Sequence, residues 1–334
     1  MSKFLMSAAA VALLVATPCF AAPSLKILDT LKVGGTGHWD YASFDAAHHR
    51  LLLSHGDSIA SLDTITGAAD AKFATATGAH IALPLPDNAS FLITNGKANN
   101  VTVNDAASGA VKATIATDAG PDGAILDPST GDVFVMANHG GVVDVVDAAA
   151  GVVKAHISVG GAPEGAATDG TDHVFTHLED KNALVAINAK TDKVEATFPL
   201  NDCEEPSGLA YVEGANLLLS ACHNGIARVT DAATGKEVAT LPIGQHPDFA
   251  IYDAKRKLGY IPCGDGTLSV IDFSDSSPTV AQVLKTKSGA RTAAFDPQTG
   301  RLYLPTADFA PTKAGDKPQV IDDSFEVVVV GPGA

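Results

Sequence analysis

Seven polar residues recur at intervals of 40 to 43 along the chain: Asp40, His80, Asp122, Glu164, Ser207, Asp248 and Arg291. Four carboxylates, an imidazole and a guanidinium gathered round one axis would bind a cation or a polyhydroxylated ligand. The histidines add to this pattern. His55, His139 and His223 each stand eight residues before a recurrent Asp, and His38, His80, His177 and His246 fall in the same part of the repeat. Only His48, His49, His156 and His173 map elsewhere. Imidazole is a common metal ligand and the side chain best matched to proton transfer at neutral pH. Ligands to a zinc-like ion must converge to about 2.0–2.1 Å. His38, Asp40 and His80, from neighbouring repeats, are the set expected to meet on one divalent ion.

Two chemistries follow. In the first, the region is a binding site for a small polar ligand, a metal ion or a protein partner. Its contacts would be Trp39, Asp40, His55, Asp122, His139, Glu164, His177, Glu205, His223, Asp248 and Arg291. In the second, a bound divalent cation polarises a carbonyl, with His80 or His38 as general base and Arg291 positioning the substrate, in a lactonase-type hydrolase or a lyase. The chain has no Gly-x-Ser-x-Gly elbow, no phosphate loop, no His-Glu-x-x-His and no haem-attachment motif. The balance favours binding over turnover.

The elements that must position these residues are legible from a turn. Residues 63–67 (DTITG), 105–109 (DAASG), 147–151 (DAAAG), 188–192 (NAKTD), 231–235 (DAATG) and 272–276 (DFSDS) return every 41 to 43 residues. An Asp or Asn opening a turn bonds backbone two residues on, and a closing Gly supplies positive φ without steric cost. Alternating apolar runs flank each copy. The period is that of a four-stranded propeller blade. The expected fold is all-β: a seven-bladed β-propeller of antiparallel blades. The last blade has only three strands of its own, so the strand at 28–35 is expected to complete it and close the ring. Closure removes an exposed edge, which favours a monomer. Residues 309–324 form a Pro-, Lys-, Gly- and Asp-rich insertion in that blade, expected on the ligand face either as a disordered surface loop or as a lid.

The first 21 residues read as a Sec-type signal peptide: Lys3, an apolar stretch over 8–16, and cleavage after Ala21. Residues 22–334 would then be one exported domain, periplasmic or secreted. With 22 basic and 38 acidic residues the net charge is -16. Such a surface repels phosphate backbones, so nucleic acid is not an expected partner. No later apolar run reaches the ~20 residues of a membrane span. Three cysteines follow the signal segment. Cys203–Cys222 is the preferred disulfide, Cys222–Cys263 the alternative, and a thiolate metal site a third arrangement.

The chain also resembles the YVTN-repeat (YncE-like) family of bacterial exported seven-bladed β-propellers. The resemblance is carried by residues 37–41 (GHWDY), 54–56 (SHG), 94–96 (TNG), 120–122 (GPD), 178–181 (LEDK), 203–206 (CEEP), 221–224 (ACHN), 263–268 (CGDGTL), 289–291 (GAR) and 306–308 (TAD). It implies an exported propeller and no particular reaction.

Overall fold

The computed structural model describes residues 24–311 and 319–333. The expected signal segment and the middle of the insertion lie outside them. Seven four-stranded antiparallel sheets are present. Their hairpins form for the reason the sequence suggests. Asp63 Oδ1 accepts the backbone N–H groups of Ile65 (2.9 Å) and Thr66 (2.7 Å). The Gly67 N–H closes the turn on the Asp63 carbonyl at 2.9 Å, with φ at 75°. Asp105 and Asp231 repeat the arrangement.

The seven first strands are innermost, and their second and third strands are buried on both faces between neighbouring sheets. Phe134, Val143 and Val145 of the third blade pack with Val174, Val185 and Ile187 of the fourth in one apolar layer. These side chains are all but inaccessible to solvent, and such interblade layers supply most of the stabilisation at roughly 25 cal/mol per Å² of apolar surface.

The N-terminal strand closes the ring by pairing with Glu326–Pro332, from Leu25↔Pro332 to Lys32↔Glu326. It runs Leu25–Lys32, three residues earlier than the sequence suggests. Gly34 and Gly35, at φ 75° and 88°, turn the chain out of the sheet before it can extend further. The insertion leaves the blade through a short ladder, with Phe309 bridged to Val320.

Cys203 and Cys222 are disulfide-bonded, with Cα atoms 5.2 Å apart, and Cys263 is a buried free thiol. Burial pushes the Cys263 thiol up to about 12, which makes it unreactive. The bond ties the loop before the fifth blade's first strand to the end of its second strand, 19 residues away in sequence. Chain entropy over a loop of that size gives at most about 3 kcal/mol. A Cys203→Ser/Cys222→Ser variant should therefore melt several degrees lower than the oxidised protein by calorimetry. Equal melting temperatures would show that the bond adds nothing to stability.

Candidate functional site at the channel mouth

A shared irregularity builds the site. In five blades the pairing of first and second strands slips at one place: between Trp39 and Ala42, Ala79 and Ala82, Pro121 and Ala124, Pro163 and Ala166, and Pro206 and Gly208. A β-bulge leaves a residue unpaired and re-aims its side chain. The re-aimed segments carry Asp40, His80, Asp122, Glu164 and Ser207. None of these precedes its strand; each is its second residue. Asp248 and Arg291 do precede theirs, because the first strands of blades six and seven shorten to Ile251–Asp253 and Ala294–Asp296. Hydroxyls from adjoining elements fix the backbone. Ser54 Oγ accepts the Asp40 N–H at 2.8 Å, Thr94 Oγ1 donates to the Asp122 carbonyl at 2.7 Å, and Thr292 Oγ1 donates to that of Asp40 at 2.7 Å.

His80 Nδ1 lies 2.7 Å from Asp40 Oδ2 and 3.4 Å from Asp122 Oδ2. Glu164 accepts from Tyr41 Oη at 3.3 Å and from Asn138 Nδ2 at 2.9 Å. Arg291 Nε pairs with Asp248 Oδ2 at 2.9 Å. Among the described residues, Asp122 Oδ1 is buried with no hydrogen-bond partner.

Crowding carboxylates in a low-dielectric mouth shifts their titration. Burial, then the nearby Asp40 charge, raises Asp122 to about 7. Burial raises Asp248 to about 6 against the pull of Arg291. Glu164 is raised well above the usual carboxylate range by burial and then by Asp122 and Asp248. Burial opposes the charge on His80, but the hydrogen bond to Asp40 and the surrounding carboxylates outweigh it and raise the imidazole to about 9.

Each of these groups holds its proton more tightly folded than unfolded. Their stabilisation is therefore complete below the unfolded values and is lost as pH rises through the folded ones. The carboxyl contributions fade from near pH 4 upward, and that of His80 fades between 6.5 and about 9. Asp105 and Asp169, held at about 2, act in the opposite sense below pH 4. The melting temperature of the metal-free protein should peak near pH 4–5 and fall steadily to pH 9. A scan that stays level or rises to pH 8 would contradict these electrostatics.

Asp40, His80, Asp122, Glu164, Asp248 and Arg291 thus lie at the mouth, and His38, Trp39 and His139 line one groove with Asp40, His80 and Asp122. His38 is exposed on the rim beside Trp39, and the imidazole–carboxylate cluster at the mouth is Asp40, His80 and Asp122, without it. Trp39 packs against Phe309 (5.9 Å) and Phe325 (5.6 Å). His139 is exposed on the 3-10 turn Asn138–Gly140. His223 pairs with Glu205 at 3.0 Å and stands edge-on to His246 at 5.9 Å.

Two expected ligand contacts are corrected. His177 is fully buried between blades four and five with Nε2 2.9 Å from Ser220 Oγ, and burial pushes it down to about 3. His55 is 3 % exposed and stacked on Phe325 at 4.5 Å, and burial lowers its pKa. Both sit on second strands, which are covered on two faces, so they serve the core as neutral rings.

Two cavities open at the mouth. A groove of about 690 Å³ is lined by Trp39, Asp40, His80, Lys97, Asp122 and His139 among others. A cleft of about 230 Å³ lies between Trp39, Arg291, Phe309 and Val320. Tyr41 and Asn138, which anchor Glu164, escape sequence reasoning because neither fits the repeat of charged positions. A second cluster also escapes it: His156 Nδ1 is 2.6 Å from Asp144 and 2.9 Å from Asp118. Asp144 is completely buried within the apolar run of Val142–Asp147, and that lone acid was the available signal. The Asp118 N–H and the His156 ring already satisfy it.

No family model matches the chain, and no curated protein matches it. Solved structures do. A chain from Kuenenia stuttgartiensis hydrazine synthase superposes with a TM-score of 0.69 at 17% identity, over 81% of this chain and 92% of that one. A chain of a mitotic checkpoint complex superposes with a TM-score of 0.73 at 14% identity, over 99% and 98%. The protein is a seven-bladed β-propeller. Identities this low speak for the fold alone. Among the described residues no helix is long and apolar enough to cross a membrane.

Proposed function

We propose that this propeller is an exported binding protein that holds a divalent transition-metal ion at its channel mouth and presents it to a small polar ligand. Asp40, His80 and Asp122 would hold the ion. The observation that carries this reading is their convergence from three adjacent blades, with one donor atom of each within 4.8 Å of the others, together with the unpartnered Asp122 Oδ1. Two carboxylates and an imidazole suit zinc, manganese or iron better than the all-oxygen shell of calcium. A bound cation would supply Lewis-acid polarisation of a ligand oxygen in the groove above.

Around that centre, the chain's own residues orient and select. Asp248 fixes the Arg291 guanidinium through Nε, which leaves its outer nitrogens to receive an anionic group beside Trp39. Lys97 and His139 line the far groove wall. Binding is favoured over hydrolysis or lyase turnover because the chain carries no Gly-x-Ser-x-Gly elbow, phosphate loop or His-Glu-x-x-His motif. The Cys203–Cys222 bond fits an oxidising compartment, and together with the apolar N-terminal segment it supports export. The YVTN-like segments support the same placement.

Metal analysis of the protein purified from periplasm without chelator or affinity tag tests the reading. One equivalent of metal in wild type, and none in a His80→Ala/Asp40→Ala variant of unchanged circular dichroism, is expected. Metal-free wild type that also takes up none on titration would overturn it.

A further inference from the structure

The central channel continues away from the mouth as a separate cavity of about 390 Å³. Its wall is apolar and aromatic, built from Tyr41, Phe44, Phe249, Ile251 and Phe295 together with small first-strand residues. Phe44, Ile251 and Phe295 keep partial solvent exposure, so the cavity is open at the end remote from the mouth. Glu164 contributes the single carboxyl of the lining and sits at the inner end, where Tyr41 Oη donates to it at 3.3 Å. With only one donor on each oxygen, Tyr41 on one and Asn138 on the other, the carboxyl has acceptor capacity to spare. Tyr41 and Phe249 pack at 5.6 Å just beneath the mouth and narrow the passage there.

We propose that this tunnel is a second ligand site, selective for a small hydrophobic amine in its ammonium form. The ammonium head meets Glu164, which must release the proton that burial holds on it to form the ion pair, and the apolar body lies between Phe44, Ile251 and Phe295. Three features of the cavity point to that class. A volume of 390 Å³ is within the range of small-molecule pockets, which are mostly apolar with a few placed polar groups. Aromatic walls attract cations over their ring faces. Asp248 stands near Glu164 at the mouth, and the whole chain carries a charge of -16, so anions are repelled and cations concentrated. Tyr41 and Phe44 are three residues apart on one strand, which makes the tunnel roughly 10 Å deep, enough for an arylalkylamine and too short for a long acyl chain. None of the three residues assigned to the metal is used, so this site stands or falls separately from the metal reading.

Calorimetric titration of the whole protein with 2-phenylethylamine, 2-phenylethanol and 3-phenylpropanoate tests it. The amine should bind at least ~10-fold more tightly than the isosteric alcohol, and the carboxylate should not bind. Glu164→Gln should erase the difference between amine and alcohol. Ser43→Phe, which fills the tunnel from the wall opposite no charged group, should abolish amine binding while metal uptake at the mouth persists. The proposal is overturned if wild type fails to bind the amine at about 10 mM, or if alcohol and amine bind alike. Amine binding that survives Ser43→Phe also overturns it, and that arm decides the matter should Glu164→Gln not fold.

Discussion

Asp122→Asn should lower divalent-cation affinity at the channel mouth at least ~100-fold, the upper end of what even outer-sphere changes cost a metal site. The same substitution should raise the melting temperature of the metal-free protein at pH 8. Asp122 is raised to about 7 by burial and by Asp40, so at pH 8 the native protein carries a charge that its surroundings disfavour. Asparagine keeps the shape and removes the charge. Asp40, at 2.7 Å from His80, keeps the imidazolium paired. The gain should shrink as pH falls and vanish only below about pH 4, where Asp122 is protonated in the unfolded chain as well. Loss of binding joined to a pH-dependent gain in stability separates a ligand from a structural residue. A variant that binds metal normally, or melts lower at pH 8, would remove Asp122 from the site.

Gly165→Ala should cost about 3 kcal/mol or more, the upper range for overpacking a rigid interior. An added Cβ would stand 1.7 Å from the Ser207 carbonyl oxygen, and backbone cannot swing aside as a side chain can. Blades four and five come together at this point, inside the register slip that presents Glu164. Relief therefore means separating two innermost strands. At roughly 2–4 °C per kcal/mol for a domain of this order, the melting temperature should fall by about 6–12 °C. Gly131→Ala is the comparison: its φ is 77°, but a Cβ there meets nothing within 4 Å. It should cost only the ~1 kcal/mol of the left-handed backbone. Equal losses at the two positions would mean that blades four and five are not packed this tightly.

The repeated turns made the blade period readable, because each turn's chemistry is local to five residues, and the three-stranded last blade made the ring closure readable. Of the seven once-per-repeat polar residues, Asp40, His80 and Asp122 form one group and Asp248 and Arg291 a pair, while Glu164 bonds Tyr41 and Asn138 and Ser207 bonds the Pro247 carbonyl. What the sequence concealed is non-local. The bulge that re-aims Asp40, His80, Asp122 and Glu164 is a mismatch between two strands and has no residue signature in either. Asp122, not His38, shares the cluster with His80 because Asp122 lies on the next innermost strand, whereas His38 stays on the rim. His55 shares the repeat phase of the exposed His139, yet it lies on a second strand buried on both faces, and His177 shares the phase of buried residues such as Thr94 and Ser220. The tunnel below the mouth arises from Ala and Gly on innermost strands, where side chains too small to fill the axis leave room that only the assembled ring reveals.

The claim at the centre of this reading is that one cation sits between Asp40, His80 and Asp122. Anomalous diffraction from crystals grown with one equivalent of zinc or manganese tests it most directly. The expected map has a single strong peak about 2.0–2.2 Å from His80 Nδ1 and from an oxygen of each aspartate. A peak only among Asp118, Asp144 and His156, or none at the mouth in metal-loaded protein, would contradict it.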